Sequence, residues 1–292
     1  MNHKTYNIVF FGTSEFAVPA LETLIKNSLV PLVVVTVPDK PAGRGKKISV
    51  SAIKNTLQST RYGDLGIKLI QPVKIDAEFL LQISNLHPDV GVVASYGKIL
   101  PKALLDMFPF GLLNVHPSLL PKYRGPSPIQ GVILNGDEKT GVTIMLVDEK
   151  MDHGPILAVQ ELAFSILNYQ FLKLHGDLAQ LGANLLVETL HKWLDKKISP
   201  IPQDESKATF TKMIKKENGL IDWSYSPEYI EKMVRAYNPW PGTYTKMKDG
   251  KILKIKKVEI VEGKIKPVIV QPEGKKEMAY EAFLRGHPDF MK

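Results

Sequence analysis

Along the first half of the chain, apolar residues gather in short runs separated by stretches with helical spacing. The runs "YNIVFFG" (6–12), "PLVVVTV" (31–37), "IKLI" (67–70), "DVGVVAS" (89–95) and "GLLNVH" (111–116) are rich in Val, Ile and Leu and alternate only weakly, as strands buried on both faces do. Residues 16–27 and 76–86 carry the spacing of amphipathic helices. This alternation predicts an α/β fold, a doubly wound and mostly parallel sheet with its chemistry at the carboxyl ends of the strands. "GVTIMLVDEKMDHGPILAVQELAF" then reads as two strands around a loop, and a long amphipathic helix is expected from about Phe171 to Leu194.

The second half has a different texture. "DKKISPIPQDESKAT" (195–209) holds two prolines and little apolar content, so it reads as a linker. After it, "SPEYIEKMVRAYN" predicts a helix capped by Ser226 with Pro227 at its first position. "TYTKMKDGKILKIKKVEIV" predicts a hairpin around Asp249 and Gly250 with one wet, basic face. The expected division is a first domain over 1–194, a linker over 195–209 and a smaller, β-rich domain over 210–292.

Composition sharpens this picture. A chain of 292 residues, 44% hydrophobic and 23% charged, suits a soluble protein of two domains. It has no run of about 18 apolar residues and no charged-then-apolar leader, so a cytoplasmic location is expected. The absence of cysteine excludes disulfides, thiolate nucleophiles and thiolate metal sites. The net charge of +8 is placed entirely between Lys207 and Lys276, where 16 Lys and Arg face 8 Asp and Glu. Such clustering fits a phosphate-rich partner.

Candidate chemistry begins with "NVHPSLLPKYRGPSPIQ" (114–130). Pro117 holds His116 extended, and alternate residues of a strand share a side, so Asn114 and His116 point the same way at a strand end. The loop "DEKMDHGPI" offers Asp148, Asp152 and His153, and a carboxylate near an imidazole can hold its tautomer and favour its charged form. Ser127, Pro128 and Gln130 fit the cap, first-turn proline and capping-box partner of a helix. In "PDKPAGRGKKI" (38–48) two prolines and two glycines argue against regular structure and leave Lys40, Arg44, Lys46 and Lys47 on an exposed basic arm. "GTSEFA" after the first strand lacks the glycine fingerprint of dinucleotide folds, no nucleophile elbow surrounds Ser118, and the histidines lack metal-ligand spacing. No metal is expected.

Together, "NVHPSLLPKYRGPSPIQ", "TGVTIML", "MDHGPIL", "PDKPAGRGKK" and "RAYNPWPGTY" closely resemble the methionyl-tRNA formyltransferases, within the wider family that uses 10-formyltetrahydrofolate. The resemblance covers nearly the whole chain. It implies a Rossmann-like catalytic domain and an OB-like, tRNA-binding C-terminal domain, here shortened by roughly two strands of ordinary length. It places the catalytic trio on Asn114, His116 and Asp152. The folate contacts fall on Ser118, Leu119, Leu120 and Pro121 and on "ASYGKILP", which contributes Ser95, Tyr96, Gly97 and Ile99. The tRNA contacts fall on Arg44, Lys46 and Lys47. The implied substrates are 10-formyltetrahydrofolate, as formyl donor, and initiator methionyl-tRNA, handled by a monomer without a membrane. The implied chemistry is attack of the methionyl amine on the formyl carbon, with the oxyanion held by the Asn114 amide and a protonated His116 that Asp152 keeps charged. Formyl transfer to another amine, such as a sugar nucleotide or glycinamide ribonucleotide, and hydrolysis of the same folate would share the trio. A non-catalytic nucleic-acid-binding protein would account for the charge alone.

Overall fold

The computed structural model describes residues 5–42, 47–59, 62–163, 165–288 and 290. Its strands are β1 (Ile8–Gly12), β2 (Val33–Val35), β3 (Lys40–Ala42), β4 (Lys47–Ser49), β5 (Lys68–Ile70), β6 (Val90–Ala94), β7 (Leu112–His116), β8 (Gly141–Leu146), β9 (Ile156–Glu161), β10 (Thr243–Lys246), β11 (Ile252–Val261), β12 (Lys264–Pro272) and β13 (Met278–Ala279). The α-helices are α1 (Ala17–Lys26), α2 (Ala52–Leu57), α3 (Ala77–Ser84), α4 (Lys102–Leu105), α5 (Pro128–Asn135), α6 (Phe171–Leu194), α7 (Pro227–Tyr237) and α8 (Tyr280–Gly286). The chain forms two compact units. One comprises residues 1–124, 141–162 and 176–209, and the other comprises 125–140, 163–175 and 210–292.

The first unit is built on a seven-stranded sheet in the order β5-β2-β1-β6-β7-β8-β9. Its first five strands are mutually parallel, β8 runs antiparallel to β7, and β9 runs antiparallel to β8. Every residue of β1 and β2 is buried, which is why those runs carry no alternation. Helix α6 covers β7 and β8 so closely that a Cβ on Gly182 would lie 2.6 Å from Val115 and 3.2 Å from Val142. Leu178, Leu186, Leu190 and Leu194 follow at helical spacing and are all buried, each contributing about 1.5–3 kcal/mol. The strand that carries Asn114 and His116 therefore has a rigid backing.

Two local expectations need correction. The basic segment 38–48 is not wholly irregular, because β3 and β4 pair as a small antiparallel ribbon with Lys40 opposite Ser49 and Pro41 opposite Ile48. In a two-stranded ribbon both strands are edges, where a missing proline N–H is tolerated. Arg44 and Lys46 lie outside the described residues, as does the side chain of Lys47. Helix α5 does start at Pro128, but the Ser127 side chain makes no cap bond. Its backbone N–H donates to Thr211 Oγ1 at 3.1 Å instead.

The second unit contains a four-stranded antiparallel sheet in the order β10-β11-β12-β13. It is covered by α7 and α8, whose Ile230, Val234, Tyr280 and Phe283 pack with Leu253, Ile255 and Val270. Ser226 Oγ caps α7 through the Tyr229 N–H at 3.2 Å, and the β10–β11 turn places Gly250 at φ 81°, a left-handed conformation suited to glycine. In strand order β10 and β13 are edges, so among the described residues this sheet is open.

Candidate active site

Strand β7 presents Asn114 and His116 on one side. His116 is 4% exposed, and its Nε2 lies 3.0 Å from the Tyr123 carbonyl oxygen. A carbonyl can only accept, so Nε2 carries a proton and Nδ1 is the ring nitrogen left for chemistry. Asp152 Oδ1 lies 3.7 Å from that Nδ1 and accepts from the Asn114 amide at 3.4 Å. All three side chains thus meet at one carboxylate oxygen.

The route by which Asp152 arrives differs from a simple strand-edge loop. Leu146, the last residue of β8, pairs with Leu113 near the start of β7. The loop that follows must fold back toward the strand to bring Asp152 to Asn114 and His116. Asp152 adopts φ 48°, a left-handed conformation that short polar side chains tolerate better than most. Asp148 and His153, the loop's other titratable candidates, form their own pair through His153 Nδ1.

Electrostatics bear on the expected charge state. Burial lowers the His116 pKa below the ordinary histidine value, and the nearby Asp152 carboxylate and the Tyr123 carbonyl oppose that shift without overcoming it. Burial therefore favours the neutral ring, whereas the resemblance implies a protonated one.

Two further segments leave the sheet beside this site. Thr143, opposite His116, donates to the Ser118 carbonyl at 2.7 Å and accepts from the Leu120 N–H at 3.1 Å. Ser118 Oγ closes the turn on the Lys122 carbonyl at 2.6 Å. Leu120 is buried, while Leu119 and Pro121 are partly exposed. Strand β6 is the parallel neighbour of β7, with Val93 opposite Asn114, so Ser95, Tyr96 and Gly97 emerge at the same end. Ser95 and Gly97 are exposed and left-handed, at φ 45° and φ 80°. The Tyr96 ring instead joins the core against Phe11, where burial pushes its hydroxyl up to about 12. Ile99 is 84% exposed and stands clear of the core.

Sequence reasoning missed a polar strap. Ile201 bridges Ile156 at the start of β9, which carries the next residues past the Asp152 loop. Gln203 Nε2 donates to the Asp152 and Gly154 carbonyls at 2.9 and 2.8 Å. Gln203 Oε1 accepts from Arg124 Nε and Nη2 at 3.0 and 2.8 Å, and Arg124 also holds both carboxylate oxygens of Glu205. Thr209 completes the strap by bonding Pro121, Tyr123 and Arg124. The available signal was "QDE" in a segment too polar for a core, facing an arginine that is 2% exposed and needed partners.

An amide and a ring nitrogen sharing one carboxylate suit transfer of an acyl group, and comparison with known proteins agrees. The formyl transferase family model matches residues 6–190. The chain belongs to that family. The model of the formyl transferase C-terminal domain matches residues 213–268. A protein named methionyl-tRNA formyltransferase from Caldanaerobacter subterraneus is 41% identical over 306 residues, covering 96% of this formyl transferase and 96% of that relative. One of the same name from Roseiflexus castenholzii is 47% identical over 240 residues, covering 82% of this chain and 75% of that relative. Among solved structures, methionyl-tRNA formyltransferase from Clostridium thermocellum matches with TM-score 0.61 and 19% identity, covering 91% of this chain and 98% of that one. HypX from Aquifex aeolicus in complex with tetrahydrofolic acid matches with TM-score 0.62 and 13% identity, covering 96% of this chain and 47% of that one. At such identities the two structures speak to the fold alone. Among the described residues no acidic or histidine group is arranged to hold a metal ion, and no helix is long and apolar enough to cross a membrane.

Proposed function

We infer that this enzyme transfers the formyl group of 10-formyltetrahydrofolate to the α-amino group of initiator methionyl-tRNA, as a monomer in the cytoplasm. The observation that carries this reading is the meeting of Asn114 and His116 at Asp152 in a chain 41% identical, end to end, to a methionyl-tRNA formyltransferase. A different amine would use the same three side chains, but it leaves the basic C-terminal domain without a task.

In this mechanism the α-amine, with a pKa of about 8, uses its lone pair to attack the formyl carbon. The carbonyl π electrons move onto oxygen, and one N–H of the Asn114 amide stabilises that oxyanion while the other faces Asp152. Neutral His116 takes the amine's surplus proton at Nδ1, and the resulting imidazolium is stabilised by Asp152. As the oxyanion collapses, the bond from carbon to the folate nitrogen breaks and that nitrogen receives the proton. The products are formylmethionyl-tRNA and tetrahydrofolate. Ser118, Leu119, Leu120 and Pro121 would wall the folate site together with Ser95, Gly97 and Ile99, and Tyr96 would contribute through its backbone. The ribbon of β3 and β4, with Arg44, Lys46 and Lys47, would meet the tRNA backbone, as would residues 210–292.

Salt tests the tRNA assignment. Arg44→Ala weakens tRNA binding, leaves folate binding unchanged and flattens the dependence of affinity on salt, because fewer counterions are released. Removing residues 210–292 acts in the same direction. Equal tRNA affinities and salt slopes in wild type, variant and truncation would contradict the assignment and favour a small acceptor.

A further inference from the structure

We propose that Gln203 is a positioning residue for the reaction, holding the Asp152 carboxylate at Asn114 and His116 through the backbone on both sides of His153. This rests on the assignment of Asn114, His116 and Asp152 as the reacting trio. Asp152 is a non-glycine residue at φ 48°, a left-handed conformation that persists only where the surroundings over-determine it. The Gln203 amide donates to the carbonyls of Asp152 and Gly154 together, fixing two peptide planes with one planar group.

Gln203 is itself held from behind. Its oxygen accepts two bonds from the buried Arg124 guanidinium, so the amide cannot flip without placing N–H against N–H. Glu205 locks the other side of that guanidinium. Arg124 is joined to the turn that fixes His116, since the preceding residue is Tyr123, whose carbonyl faces His116 Nε2. One strap therefore spans the two loops that set both partners of the 3.7 Å approach between His116 and Asp152. Errors of about 1 Å in such a placement can cost about a hundredfold in rate.

Two variants separate positioning from simple support of Arg124. Gln203→Met removes both halves of the amide at similar size. Gln203→Glu keeps an acceptor for Arg124 and removes the donor to the loop. Both are expected to lose about tenfold to a hundredfold in kcat, with KM for either substrate changing by less than about threefold and with a cooperative melting transition retained in each. Full activity in Gln203→Glu beside a defective Gln203→Met would reduce Gln203 to a prop for Arg124 and overturn the proposal. A readout independent of the acceptor is the His116 ring titrated by nuclear magnetic resonance in Gln203→Met. With Asp152 displaced, the ring loses the charge that raises its pKa and titrates lower than in wild type. An unchanged titration would overturn the proposal, and this test stands even if transfer to methionyl-tRNA fails.

Discussion

His116→Ala lowers the turnover of formyl transfer by about a hundredfold to a thousandfold with little change in KM for the folate, because the ring acts on charge and protons that move in the transition state. Asn114→Ala falls in the same range for the loss of one oxyanion donor. The pH profile adds a sign. A free histidine titrates at about 6.5, and burial moves His116 below that value. Since the neutral ring must accept a proton at Nδ1, kcat/KM in the wild type falls on acidification through a limb that lies below about pH 6.5. That limb is absent from the residual activity of His116→Ala, while the limb of the amine near pH 8 remains. A wild-type rate that instead required protonated His116 would show activity lost as pH rises through the same range, and would restore the charged-histidine mechanism.

Gly154→Ala is expected to be nearly as damaging although it removes no chemical group. An added Cβ would overlap the Leu146 carbonyl oxygen and come within 3.4 Å of the Asp148 nitrogen, and neither backbone atom can rotate away. The loop has to shift, which costs about 1–3 kcal/mol and carries Asp152 away from His116. Turnover should fall about a hundredfold, with a lowered melting temperature. Gly176→Ala is the control. Gly176 lies on α6 with nothing within 4 Å of the added Cβ, and alanine there should raise stability by up to about 1 kcal/mol without touching activity. Normal turnover in a destabilised Gly154→Ala would mean that the placement of Asp152 is not required.

The sheet was readable because burial on both faces leaves a distinctive trace. "YNIVFFG" and "PLVVVTV" could hardly be anything except central strands, and α6 was legible to its ends because its leucines recur along one buried face. The ribbon of β3 and β4 was not, since proline and glycine mark a break in regular structure and cannot reveal that two edges still pair around it. At the site, Asn114 and His116 were legible as a pair because strand geometry fixes their common side. Asp152 shared its loop with Asp148 and His153 as candidates, and only the family resemblance separated it from them. The pull on His116 toward its neutral form was not legible, because a neighbouring carboxylate is visible in a sequence while the depth of burial that opposes it is not. Gln203 and Arg124 were illegible for a related reason, since their partners lie about 50 to 80 positions away and the bonds exist only once the sheet has brought them together.

The most direct measurement follows labelled formate equivalents from 10-formyltetrahydrofolate, supplied to the purified protein with methionyl-tRNA of the initiator type, with free methionine, with an amino sugar nucleotide and with water alone. The account predicts rapid labelling of methionyl-tRNA at the α-amino group, loss of that labelling in His116→Ala, and no comparable transfer to the other acceptors. Efficient formylation of the sugar nucleotide, or release of free formate at the same rate with and without tRNA, would contradict it.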